Sequence, residues 1–597
     1  MIAKGIALDE RPEGAVFVKL DELLGNEKEK YRVLVVLRSD GTALYATEDL
    51  ALAIQKFVDY PRLSRSFYVV DVRQSLHFQQ VFKTLELAGY PWAGRCEHIP
   101  YELVNLPGNV VMASREGTVV LLEDLIREAF SRALEVVEQK NPDLIPEKIK
   151  QQVKPLGLWD VNPRNLFRIS WKNDVKTGLW GDVNYVELPS SLTGVKARII
   201  GLVGKYFPTG AHKVGAAFSC LVPRLVSGEF DPTKQKAVWP STGNYCRGGA
   251  YDCALLGSPA IAILPQDMSP ERFAWLKEIG TSEIFATPGC ESNVKEIYDK
   301  CWELIKERGN NIVIFNQFAE IGNPIWHYNL TGNAALEVFE KVKGPRSRMA
   351  ARVSATGSAG TIAAGDRLKQ VWPDHKIVGL EPIQCPTLYN NGSGSHRIEG
   401  IGDKHVTWIH DVWNMDAIMC IDDMSTVRGL ALLTDPVGKQ TLAQRYGVPV
   451  EAVEKLSGIM GISSVCNVLG AIKTAQYYEM GEDDVVVTIF TDAIDRYHSV
   501  MDWLRAEEGV MDEAMAAHRM ASIFHGQKLD YISEGTQETR ERWHNLKYYT
   551  WVEQQGKTVE ELDAQRDPAW WEAHQRMVAD IDEKIIAFRK EHHIHGE

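Results

Sequence analysis

The chain has 597 residues, 45% hydrophobic and 24% charged, with a formal net charge of −14. That length favours two or more domains, and the composition is ordinary for a soluble globular protein. The acidic balance, with no long basic run, argues against a nucleic-acid or acidic-membrane binder, whose surface needs clustered Lys and Arg. No apolar stretch approaches a membrane span, and Met1-Ile2-Ala3-Lys4-Gly5 has no signal-peptide core. Nine scattered cysteines, never spaced C-x-x-C, predict a reduced, cytoplasmic protein.

In chain order, residues 1–32 are charged and weakly patterned and read as a tail. From residue 33 the pattern is α/β, with strands predicted over 33–37 and 66–71 and helices over 50–59 and 76–87. A helix-rich stretch, 121–139, ends at Lys140-Asn141-Pro142-Asp143, a stop signal. The polar, Pro-bearing seam over 140–160 sets a domain boundary near 150. Beyond it, short apolar runs at 197–203, 236–241, 260–264, 283–286, 312–316, 349–355, 376–380 and 485–489 alternate with helical segments. That alternation predicts a mostly parallel sheet covered on both faces. From residue 500 the chain reads as helical, charged and Trp-bearing, suited to wrapping this domain or a partner.

Four segments of the second domain carry the chemistry. In Pro208-Thr209-Gly210-Ala211-His212-Lys213-Val214-Gly215 a strand enters a turn and Lys213 begins a helix. The positive helix end and partial burial favour the neutral amine, the form that condenses with an aldehyde cofactor. The plainer alternative is a surface lysine. Ser241-Thr242-Gly243-Asn244-Tyr245 follows a strand; its N–H groups and hydroxyls suit a carboxylate, and the Asn amide suits a phenolate oxygen. Thr356-Gly357-Ser358-Ala359-Gly360-Thr361 is a small-residue turn before helix 362–371, able to close on a phosphate. It is not G-x-G-x-x-G and lacks a P-loop lysine, so a dinucleotide or ATP is disfavoured. The fourth segment, His396-Arg397-Ile398-Glu399-Gly400-Ile401-Gly402-Asp403, is a glycine-rich loop fit to lie against a planar ring or close over a substrate.

Together these segments resemble the fold-type II pyridoxal-phosphate family, which includes cysteine synthase, threonine synthase and the tryptophan synthase β chain. Thr-Gly-Ala-His-Lys at 209–213 resembles the lysine motif of the tryptophan synthase β chain. Ser-Thr-Gly-Asn at 241–244, Gln317-Phe318 with Asn323-Pro324, His327 and Thr331-Gly332, Gly-Ser-Ala-Gly-Thr at 357–361, Glu381-Pro382, the 396–402 loop and Gly461-Ile462-Ser463-Ser464 are similar to cysteine synthase segments in the same order. Two departures stand out. Ser241 occupies the place of the catalytic Glu of the tryptophan synthase β chain. In Thr491-Asp492-Ala493-Ile494-Asp495-Arg496-Tyr497, Asp492 falls where cysteine synthase has a Ser beside the pyridine nitrogen, with Thr491 next to it.

The resemblance implies an α/β fold of the tryptophan synthase β type binding pyridoxal 5'-phosphate. Lys213 would hold the cofactor covalently and act as the catalytic base. Asn244, Gly357, Ser358, Ala359, Gly360, Thr361, Thr491 and Asp492 would bind the cofactor; Ser241, Thr242, Gly243 and Gln317 would bind the amino-acid substrate. The implied reaction is β-replacement, with β-elimination to a keto acid and ammonia as the alternative, in a homodimer. No metal is expected.

Residues 33–128 carry a second resemblance. Arg38-Ser39-Asp40-Gly41-Thr42, Leu44-Tyr45-Ala46-Thr47-Glu48-Asp49-Leu50-Ala51, Gln74-Ser75-Leu76-His77-Phe78 and Met112-Ala113-Ser114-Arg115-Glu116-Gly117-Thr118 resemble the second half of an arginyl-tRNA synthetase catalytic domain, a partial Rossmann-like segment. No His-x-Gly-His motif precedes them, so a fused, inactive fragment is expected over residues 33–150. The competing reading is a tRNA-linked, ATP-using protein led by this segment.

Overall fold

The computed structural model describes residues 1–26, 30–71, 74–101, 105–106, 110–111, 141–241 and 243–577. The synthetase-like loop 112–120, the helix expected over 121–139, and Thr242 lie outside the described residues. The chain divides into two compact units, Met1–Leu121 and Leu122–Glu597.

In the first unit, residues 1–32 are not a tail. Strands β1 (Leu8–Asp9) and β2 (Val16–Lys19) join β3 (Val33–Leu37) in an antiparallel sheet. Val16 and Val18 point inward and are buried with Ala7 and Leu20. Two inward valines are too short a run for a period to show in sequence, and their partners lie beyond residue 33. Helix α1 (Tyr45–Asp59) buries Ala46, Leu50, Ala53 and Phe57, one stripe at helical spacing. Strand β4 (Ser66–Asp71), helix α2 (Ser75–Leu87) and strand β5 (Cys96–Tyr101) form a β-α-β unit with parallel strands.

Among the described residues the second unit holds two large sheets and a two-stranded ribbon, Asn173–Asp174 with Leu179–Trp180. The larger contains β6 (Tyr185–Glu187) and β7 (Arg198–Val203), and, after the smaller sheet in the chain, five further strands. Helix α3 (Lys213–Ser227) leads to the smaller sheet: β8 (Lys236–Pro240), α4 (Asn244–Leu256), β9 (Ala260–Pro265), α5 (Pro270–Glu278), β10 (Glu283–Thr287) and β11 (Ile312–Ile314). Its four strands run parallel in the order β10-β9-β8-β11. The chain then returns through β12 (Arg348–Ala355), α6 (Ala363–Val371), β13 (Lys376–Pro382), β14 (Ala417–Ile421), β15 (Asp484–Phe490) and β16 (Ile532–Glu534). The larger sheet has the order β6-β7-β15-β12-β13-β14-β16, parallel except for its two edge strands. The central strands are buried on both faces, which is why they read as continuous apolar runs.

The segment after residue 535 wraps this same unit. Trp543 Nε1 donates to Leu388 O at 2.9 Å and Trp551 Nε1 to Val406 O at 2.9 Å. All nine cysteines are unpaired. Among the described residues no helix is long and apolar enough to cross a membrane, and no cluster of His, Cys, Asp and Glu could hold a metal ion.

Candidate active site

Parallel strands aim their carboxyl ends the same way, and ligands bind in the crevice beyond them. The chemistry-bearing segments emerge from those ends: 204–213 after β7, 241–244 after β8, 356–361 after β12 and 491–497 after β15. A cleft there is lined by Lys213, Asn244, Gly357, Ser358, Ala359, Thr361 and Thr491 together with His212, His327, Gly400 and Ile401.

Lys213 is the first residue of α3 and is half-buried. Burial pushes its amine down from the ordinary lysine value, opposed by the carboxylates of Glu291 and Asp403. The turn before it is tightly held. Thr209 sits at φ 67°, a costly conformation for a β-branched residue, and Arg496 Nη2 donates to its carbonyl. Gly248 of α4 admits the start of α3: a Cβ there would fall 2.7 Å from Val214 Cα. His212 is fully buried, its Nε2 3.3 Å from Thr491 Oγ1, and burial holds it well below the ordinary imidazole value. His327 is neutral for the same reason and shares Thr331 Oγ1 with Trp171 Nε1.

The small residues of 357–361 have steric reasons. A Cβ on Gly357 would lie 2.8 Å from Gly400 O, and one on Gly360 would lie 2.1 Å from Asn323 Oδ1. Ala359 takes the left-handed conformation, φ 64°. The turn is braced from behind. Asn323 Nδ2 donates to Ser358 Oγ at 3.0 Å and Gln317 O at 2.9 Å, and Thr407 Oγ1 donates to Ser358 O at 2.8 Å. Ser354 Oγ and Thr361 Oγ1 lie 2.6 Å apart.

Asn244 begins α4, and its Nδ2 donates to Asp492 Oδ2 at 2.6 Å. Asp492 is fully buried behind the cleft wall rather than lining it, and Tyr497 OH donates to the same oxygen at 2.8 Å. Ser241 and Gly243 are buried next to Asn244, with Ser241 Oγ accepting from Gly243 N at 3.1 Å; neither lines the cleft. Gln317 is also buried without lining it, and Gly360 turns toward Asn323. Two residues without a sequence signal hold the site together. Asn467 lines the cleft and bridges Ala355 N at 2.7 Å to Ile489 O at 2.7 Å, and Arg272 pairs with Glu399 at 2.8 Å. Both join segments more than a hundred residues apart, and no local pattern marks them.

Two buried polar atoms of cleft-lining residues have no protein partner, Asn244 Oδ1 and His212 Nδ1. Leaving such atoms unbonded costs free energy, so they fit a bound polar ligand. A depressed lysine amine, a turn that excludes side chains and these open polar atoms suit pyridoxal phosphate in its aldehyde, phosphate and ring groups.

Comparison with known proteins also finds two parts in the chain, with the first match extending to residue 158. Residues 204–492 match the family described as pyridoxal-phosphate dependent enzyme, and residues 2–158 match the class I tRNA synthetase (R) catalytic domain. The arginine–tRNA ligase of Clostridium perfringens is 43% identical over 145 residues, 24% of this chain and 24% of that protein. That of Clostridium botulinum (strain Langeland) is 36% identical over 201 residues, covering 32% and 33%. The chain thus spans about a quarter to a third of the length of these relatives. Among solved structures, a hydrogen sulfide-producing enzyme from Fusobacterium nucleatum is 26% identical, with a TM-score of 0.46 over 59% of this chain and 93% of that one. A cysteine synthase from Entamoeba histolytica is 21% identical, with a TM-score of 0.47 over 58% and 93%.

Proposed function

Since residues 204–492 match the pyridoxal-phosphate dependent enzyme family, we propose that this chain catalyses cysteine synthase-like β-replacement on an amino acid, with Lys213 as the base. The observation that carries the reading is the meeting of a depressed, half-buried amine, the small-residue turn and Asn244 in one cleft. Lys213 would hold the cofactor and the N–H groups of 357–361 its phosphate, on the positive end of the helical segment that runs into α6. Thr491, which lines the cleft, is the group available to the ring nitrogen, while Asp492 lies behind the wall and reaches the site through its bond to Asn244. When bound, the cofactor supplies an electron sink for the pair left on the substrate's α-carbon.

The chain's own residues do the rest. The 241–244 loop, with Gln317, holds the substrate carboxylate. Lys213 removes the α-proton, and burial, by lowering its amine, favours the neutral form that can take it. His212 and His327, held neutral by burial, add no competing cation to the cleft. The glycine-rich loop 396–403 gives the cleft Gly400 and Ile401, and a loop that closes there would shield the reacting atoms from water.

Purified protein supplied with amino acids bearing a β-leaving group, with and without a thiol, tests this. Replacement gives a new thioether or thiol amino acid when the thiol is present. Keto acid and ammonia as main products in the presence of thiol would make it an eliminating enzyme instead.

A further inference from the structure

Four segments meet behind the cleft: the loop 241–244, the loop 396–403 and the turn 491–497, which each give it a lining residue, and helix α5, which does not. A single run of hydrogen bonds ties all four. Glu399 accepts from Ser269 Oγ at 3.0 Å and from Arg272 Nε at 2.8 Å. Arg272 Nη2 donates to Tyr497 OH at 3.2 Å. Tyr497 OH donates to Asp492 Oδ2 at 2.8 Å, and Asn244 Nδ2 donates to that same oxygen at 2.6 Å. Arg272, Tyr497, Asp492 and Asn244 are all buried. The substrate loop closes onto the guanidinium: a Cβ on Gly243, whose φ is 152°, would fall 1.8 Å from Arg272 Nη1.

The run joins the two sheets. Helix α5 follows β9 of the smaller sheet, and Glu399 follows β13 of the larger. Gly400 and Ile401, adjoining Glu399, line the cleft. At the other end the chemistry fixes an orientation. Asp492 Oδ2 accepts from Tyr497 OH, and the Asn244 amide turns Nδ2 toward that same oxygen. Its second Nδ2 hydrogen and its Oδ1, which is buried without a protein partner, are then left for the bound ligand.

Resting on the reading of this cleft as the cofactor site, we propose that Arg272 is a positioning residue for the reaction. It holds the glycine-rich loop over the cleft through Glu399, and through Tyr497 it holds Asp492 where it sets the flip of the Asn244 amide. A guanidinium suits this place because its fork reaches two acceptors in fixed geometry, which a lysine ammonium does not reproduce.

The test uses the full chain and its Tyr497→Phe, Glu399→Gln, Arg272→Lys and Arg272→Met variants, titrated with pyridoxal phosphate and followed by absorbance. Tyr497→Phe deletes one oxygen and keeps the ring, so it reports on the link even where Arg272→Met fails to fold. The expected result is a displaced absorption band for Tyr497→Phe and at least a tenfold weaker cofactor affinity for Glu399→Gln, with Arg272→Lys only partly rescuing Arg272→Met. Adding Tyr497→Phe to Asp492→Asn should displace the band no further, as for two members of one network. A wild-type spectrum and affinity in both Tyr497→Phe and Glu399→Gln, or independent effects of Tyr497→Phe and Asp492→Asn, would overturn the proposal while leaving the cofactor reading intact. A wild-type chain that takes up no pyridoxal phosphate would overturn the cofactor reading and, with it, this one.

Discussion

At the residue scale the cleft depends on atoms that are missing as much as on those present. Gly360 faces an Asn323 amide that is buried and fixed by its bonds to Gln317 O and Ser358 Oγ, so the amide cannot yield to a side chain. Gly360→Val should weaken cofactor binding by about 1–3 kcal/mol, the usual cost of overpacking. Ser358→Ala removes one acceptor while Asn323 keeps its bond to Gln317 O, so it should cost about 1 kcal/mol or less. Cofactor titrations of the two variants check this, and equal effects would count against the turn as the phosphate site. The positions of Lys213 and the turn are legible in sequence because a helix start and a run of small residues are local features. The partnership of Asn244 with Asp492 is not, since 248 residues separate them and only the β15 turn brings them together.

At the element scale, apolar runs and helical stripes foretell most of the second unit, because strands covered on both faces carry their signal in composition alone. What escapes is short or lies at an edge. The three-residue strands β6 and β16 pair antiparallel at the sheet's margins, and β14 is a five-residue run within a long irregular stretch. The loop from 396 to 410 adds something that composition does not report: buried neutral histidines. Burial lowers His396 to about 4 and His410 to about 3, with the Lys547 charge contributing at His410. His396 Nε2 bonds Gly402 O at 3.0 Å. Both pKa values lie below the ordinary imidazole value of 6.5 that the unfolded chain has, so between them the folded state binds fewer protons than the unfolded state. Stability is therefore retained above pH 6.5 and lost as the pH falls from there through 4, each histidine contributing a loss of roughly 1.4 kcal/mol for every pH unit crossed. Unfolding followed against pH should show this loss, and His396→Gln should move the acid midpoint lower. A midpoint unmoved by the substitution would remove His396 from the account.

At the scale of the whole molecule, two cores are built within one chain. Among the described residues, the first unit's cluster draws on residues 7 to 96, and the other clusters draw on residues beyond 165. Leu50→Ala, at a buried position of the first cluster, should lower a first thermal transition, by about 2–5 kcal/mol, and leave a second one and cofactor affinity unchanged. Calorimetry with and without pyridoxal phosphate checks it; a loss of cofactor binding in that variant would show that the units act together. The division itself is legible from the change of pattern across 140–160. The folding of residues 8–19 into the first unit is not, because two inward valines reveal their purpose only beside the strand at 33–37. The central claim is that the second unit's cleft holds pyridoxal phosphate on Lys213. Borohydride reduction of the loaded full-length chain followed by peptide mapping tests it most directly. The account predicts a cofactor label on Lys213 that disappears in Lys213→Ala; a label on another lysine, with Lys213 unmodified, would contradict it.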